Sequence, residues 1–119
     1  TTMQMKEISF GAAQPVDGYG PGFFRVGGRA VEGALCLSVE GALAWGGLED
    51  AETLVRLADD ADVIFIGTGT AMAPLPKGLS ERLAEAGVGF EIMNSPSACR
   101  TYNVLLGEGR RVALAVLPV

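Results

Sequence analysis

Two stretches of the sequence gather the residue types from which a binding or catalytic site is built. One is Gly67-Thr68-Gly69-Thr70; the other is Met93-Asn94-Ser95-Pro96-Ser97, running on through Cys99, Arg100, Tyr102 and Asn103. Each follows a short apolar run, so each reads as the exit of a strand. In an open parallel sheet, ligands bind outside the carboxyl ends of the strands. The second stretch leads into a helix whose first amides and dipole suit an anion. Thr68, Ser95 and Ser97 add hydroxyls, and Arg100 adds a cation one turn in. The candidate ligand-binding residues are therefore Gly67, Thr68, Gly69, Ser95, Ser97, Arg100, Tyr102 and Asn103. The competing structural reading is that the glycines make tight turns and Ser95 caps its helix as the N-cap, with Pro96 at the first helical position.

More specific chemistry finds no support in the residues. A dinucleotide fingerprint needs a third glycine where Met72 stands, and a Walker loop needs Gly-Lys-Ser/Thr where the order is Lys77-Gly78-Leu79. Histidine is absent, which removes Ser-His-Asp triads, Cys-His dyads and imidazole zinc sites. Cys99, beside Arg100 near a helix start, has the surroundings that lower a thiol pKa, yet a free cysteine also packs readily in a core. Asp59, Asp60 and Asp62 lack the loop spacing of a calcium cage and read as a solvated face. Glu108, Arg110 and Arg111 read either as ion pairing at the entry of the last strand or as a cationic rim to the pocket. No catalytic residue, metal or cofactor is assigned.

The chain has 119 residues, 49% of them hydrophobic, with 14 acidic and 9 basic side chains for a net charge of −5. That length predicts one domain over residues 1–119. The scattered arginines and acidic balance argue against a nucleic-acid partner. The longest apolar runs, 63–66 and 112–118, are strand-sized, so no transmembrane helix is predicted. Residues 1–6 lack the apolar core of a secretory signal, which places the chain in the cytoplasm. Cys36 and Cys99 are expected to be free thiols rather than a disulfide.

The elements that would position these residues divide the chain in two. Residues 1–48 read as mainly antiparallel β: a strand over 5–10, turn chemistry over 14–22, a strand over 23–26, a Gly27-Gly28 hairpin turn, and a returning strand over 29–39. Residues 41–47 carry no clear pattern. Residues 49–119 read as βαβαβ-like: a helix capped by Asp50, a strand over 62–66, a helix starting at Pro76 and closed by Gly87, and a strand over 88–93. A third helix, ending at Gly107 or Gly109, and a strand over 111–117 complete it. Helices of that length serve as right-handed crossovers between parallel strands.

Several blocks together resemble a known family. They are Tyr19-x-Pro21-Gly22-x-Phe24, Trp45, Ile66-Gly67-Thr68-Gly69, Ala98-Cys99-Arg100-Thr101-Tyr102-Asn103 and Glu108-Gly109-Arg110-Arg111-Val112. The chain is similar to a widespread family of small α/β proteins of unknown function. Its eukaryotic relatives include a mitochondrial respiratory complex I assembly factor and an adipogenesis-associated protein. The resemblance implies a three-layer α/β domain: a central mixed, mainly parallel sheet with one antiparallel member, flanking helices, and an additional N-terminal antiparallel β-layer. It implies a soluble binding or assembly-factor-like protein with a protein partner in membrane-complex assembly. The alternative is a small enzyme or sensor that binds an anionic metabolite at the Gly67–Gly69 loop and the helix starting near Pro96.

Overall fold

A computed structural model describes residues 13–119; the strand expected over residues 5–10 lies outside the described residues. The chain opens with three short antiparallel strands, β1 (Gly18–Gly20), β2 (Phe23–Val26) and β3 (Arg29–Glu32), which form a sheet of their own. The Gly27-Gly28 hairpin forms as expected, with Val26 paired to Arg29. The returning strand does not continue to residue 39, however. Gly33 takes φ +84, a left-handed conformation that breaks the strand, and the chain crosses into a second sheet. There it forms β4 (Leu35–Ser38) and β5 (Gly41–Ala44), so part of the patternless stretch over 41–47 is a strand, held by pairing to β4 rather than by its own residue types.

The remaining elements are α1 (Ala51–Leu57), β6 (Val63–Gly67), α2 (Lys77–Glu85), β7 (Phe90–Met93), α3 (Ser95–Gly107) and β8 (Val112–Val116). Asp50 caps α1, its carboxylate accepting from the Thr53 amide and hydroxyl and from the Gly46 amide, while its carbonyl accepts from Trp45 Nε1 at 3.1 Å. Pro76 stands one place earlier than expected, as the N-cap residue, with α2 beginning at Lys77.

The second sheet has the order β5-β4-β8-β6-β7. β6 pairs parallel with both β7 and β8, whereas β4 runs antiparallel to β8 and β5, leaving β4 as the one reversed member. β6–α2–β7 and β7–α3–β8 cross the sheet in opposite directions with their helices on opposite faces, as a shared right-handed crossover requires.

Strand alternation divides the core between these two faces. Val112, Leu114 and Val116 of β8 join Phe65, Leu35 and Leu37 under α3 and the three-stranded sheet. Ala113 and Ala115 join Ile64, Ile66 and Cys36 under α1 and α2. The three layers are thus α3 with the small sheet, the five-stranded sheet, and α1 with α2. Burial on both faces explains why β6 and β8 are unbroken apolar runs. Each fully buried Val, Leu or Phe contributes about 1.5–3 kcal/mol. Cys36 and Cys99 are free and buried on opposite sides of the sheet.

Candidate functional site

Both glycine- and serine-bearing loops open at the same end of the sheet. The parallel register sets Gly67 level with Met93 on one side and Val116 on the other. The exits of β6, β7 and β8 therefore meet at one point, and Ser95 ties them together. Its amide donates to Gly69 O at 2.8 Å. Its hydroxyl accepts from the Gly69 amide at 2.8 Å and donates to Leu117 O at 2.6 Å. Leu117 N–H in turn donates to Gly67 O at 2.9 Å, and Thr68 N–H to Met93 O at 3.0 Å. Gly67 is required by this crowding: a Cβ there would stand 2.7 Å from Ser95 Cα and 2.8 Å from Val116 Cγ1.

The helix cap differs from the expectation. Asn94, not Ser95, is the N-cap of α3, accepting from the Ser97 amide at 2.8 Å, and Ser95 is the first helical residue. The displacement by one residue turns the Ser95 side chain inward, where it is fully buried. It also removes the free amides on which an anion pocket depends. Ser95 N–H is bonded to Gly69 O, Pro96 has none, Ser97 N–H takes the Asn94 side chain, and Ala98 N–H takes Asn94 O. The Thr68 hydroxyl is engaged as well, donating to Ala71 O at 2.8 Å and accepting from the Ala73 amide at 3.0 Å, which braces the loop after β6.

The other candidates fall into two groups. Arg100 is exposed and donates to Ser97 Oγ at 3.2 Å; among the described residues no carboxylate pairs with it. Tyr102 and Asn103 face inward and hold the segment before β1. The Tyr102 hydroxyl donates to Gln14 O at 2.9 Å, and burial pushes its pKa upward. The Asn103 amide accepts from Val16 N–H and donates to Val16 O, both at 2.8 Å. Together they fasten the small sheet to α3.

Cys99 is 3% exposed, and burial pushes its thiol up to about 11 against a small opposing effect of Arg100. Neighbouring charge and helix dipole lose to desolvation here, so the thiol packs as a small apolar group. Arg110 and Arg111 do not rim the loops. They precede β8, whose Val112 is level with Val63 at the amino end of β6, so they stand at the opposite end of the sheet. Arg111 approaches Asp62 at 4.0 Å there. The cap at Asn94 and the tail at Leu117 lie outside the residues that the sequence singles out as candidates. An asparagine before Ser-Pro is a cap signal as strong as the serine itself, whereas the role of Leu117 depends on sheet register.

The fold is a three-layer α/β arrangement in which the candidate residues form an internally bonded joint at the carboxyl ends of three neighbouring parallel strands. The chain belongs to the family described as "Protein of unknown function (DUF498/DUF598)", which matches residues 16–117. It is 47% identical over 117 residues to an uncharacterised protein of Rhodobacter capsulatus, covering 98% of this chain and 94% of that one. NADH dehydrogenase [ubiquinone] 1 alpha subcomplex assembly factor 3 of Danio rerio is 27% identical over 124 residues, covering 98% of this chain and 70% of the relative. The crystal structure of an outer membrane protein from Bartonella henselae superposes with a TM-score of 0.80 at 32% identity, covering 91% of this chain and 97% of the other. The motif-based resemblance and the three-layer architecture agree with these findings.

Proposed function

We propose that this chain is a binding protein of the assembly-factor type, serving the biogenesis of a respiratory complex rather than catalysing a reaction. The observation that carries the proposal is the similarity to the Danio rerio assembly factor across 98% of this chain. The geometry is in keeping with it. The glycine–serine joint spends its amides and hydroxyls on holding three strand exits together, and the buried Cys99 thiol and Tyr102 hydroxyl are displaced away from ionisation. Among the described residues no helix is long and apolar enough to cross a membrane, and in this reading the chain works from the cytoplasm on a membrane-bound client. Affinity recovery of the tagged chain from its native host tests the proposal. Subunits of the NADH dehydrogenase complex are expected in the eluate, and a reproducible eluate without them contradicts it.

A further inference from the structure

The small sheet is built as a unit of its own. Among the described residues no ladder joins β1, β2 and β3 to the five-stranded sheet. Its further bonds close within the segment: Asp17 N–H donates to Arg25 O at 2.7 Å, the Gly28 amide to the Asp17 carboxylate at 3.3 Å, and Gly33 N–H to Gly22 O at 3.0 Å. It is fastened by Tyr102 and Asn103 of α3 at Gln14 and Val16, and by Val119 O, which accepts from Gly22 N–H at 3.0 Å. Of residues 16–32, Val16, Phe24 and Val26 are buried, whereas the other face of the five-stranded sheet is closed by Leu54, Leu57, Leu79 and Leu83 together with Trp45 and Val88. A groove of about 600 Å³ lies between the β2–β3 hairpin and Gly41 and Ala42 of β5, which leaves that flank of the unit open. The exit from the unit has room to turn. Gly33 holds φ +84 with open space where a Cβ would stand, and Ala34 beyond it is fixed by Trp45 N–H at 3.2 Å.

We infer that the small sheet is a cover that lifts from α3 and the central sheet as one cooperative unit, pivoting at Gly33, while the α1–α2 face stays folded. Proteins open in contiguous units that often coincide with a supersecondary motif, and units with few buried apolar contacts open at the least cost. Lifting breaks the bonds at Gln14, Val16 and Gly22 and keeps those that close within the sheet. It uncovers an apolar floor of Leu35, Leu37, Leu114 and Tyr102. The two cysteines report on the two faces. Cys99 lies one turn before Tyr102 and Asn103, on the side of α3 that carries the fastening, and shares a core with Phe24 and Val26. Cys36 lies in the core under α1 and α2, which the lifted cover leaves closed. The inference is independent of the assembly-factor proposal.

Alkylation of the full chain by iodoacetamide, in a urea series below the unfolding transition, tests the inference. Each cysteine is read by mass spectrometry and referred to its own rate in the unfolded chain. Cys99 is expected to react faster than Cys36 and with the smaller urea dependence, since that dependence scales with the surface exposed. Two variants separate the openings. Leu79→Ala weakens only the face that stays folded, so it is expected to speed Cys36 by at least roughly tenfold and to leave Cys99 unchanged. Asn103→Ala loosens the fastening and is expected to speed Cys99 several-fold. Should either variant fail to fold, the two rates and their urea slopes in the unmodified chain decide. Equal rates with equal slopes, or a faster Cys36, overturn the inference. So does a folded Leu79→Ala chain in which Cys99 gains as much as Cys36, or a folded Asn103→Ala chain in which Cys99 gains nothing.

Discussion

Ser95 joins backbone atoms that lie 26 and 22 residues away in sequence, one in the loop after β6 and one in the tail after β8. Ser95→Ala leaves the Gly69 amide and Leu117 carbonyl without their partner in a buried place, and a loss of about 1–3 kcal/mol in denaturant unfolding is expected. Gly67→Ala forces a methyl against Ser95 Cα and the fully buried side chains of Ser95 and Val116, and overpacking of this kind costs about 1–3 kcal/mol. Asp50 gives a pH signature. The Thr53 hydroxyl, followed by the Gly46 and Thr53 amides, holds its carboxyl below the ordinary 3.8. The unfolded chain thus binds this proton more readily than the folded one. The stability it contributes is present above that ordinary value and is lost as pH falls through the lower folded value. Asp50→Ala is expected to cost about 1 kcal/mol at neutral pH and to flatten the acid limb of the stability profile. These residues were legible in the sequence as a glycine loop, a serine near a helix start and a cap. That the serine faces inward was not, because its partners are brought together only by the register of β6, β7 and β8.

Helix α3 does more positional work than its length suggests. One end closes the strand joint, and the inner face, through Tyr102 and Asn103, holds the segment that leads to the small sheet. Asn94→Ala removes the side-chain acceptor for the first turn and is expected to lower stability by about 1 kcal/mol. Thiol chemistry reports on the same packing. Burial raises Cys99 to about 11 and Cys36, with Asp50 adding, to about 12, both from 9.0. The folded chain therefore keeps protons that the unfolded chain gives up, and stability falls as pH climbs from about 9 through those values. At pH 8, iodoacetamide is expected to alkylate both thiols only as fast as the chain opens, which mass spectrometry reads directly. At this scale the parallel half was legible, because an apolar β-branched run such as 63–66 and the spacing of Leu79 and Leu83 state their elements locally. The antiparallel half was less so. The break at Gly33 and the strand Gly41–Ala44 depend on which sheet each segment joins, and no local pattern in a Gly-Ala-Leu-Ala run distinguishes a strand from a loop.

Across the whole molecule, the arginines of the C-terminal third do not make one basic surface. Arg100 lies on the first turns of α3 at the carboxyl ends of the strands, while Arg110 and Arg111 lie at the amino end of β8. The two groups of cations therefore stand at opposite ends of the sheet. The joint at Ser95 sits where open α/β sheets commonly bind ligands, yet here its donors are turned to holding the strands together. In the reading proposed above, a domain built in this way supports the assembly of a respiratory complex. The most direct test is the amount of fully assembled NADH dehydrogenase complex in membranes of the native host after deletion of the gene, read by native electrophoresis with in-gel activity. A marked fall in the assembled complex is expected, restored by the intact chain supplied in trans. An unchanged amount of assembled complex in the deletion strain would contradict it.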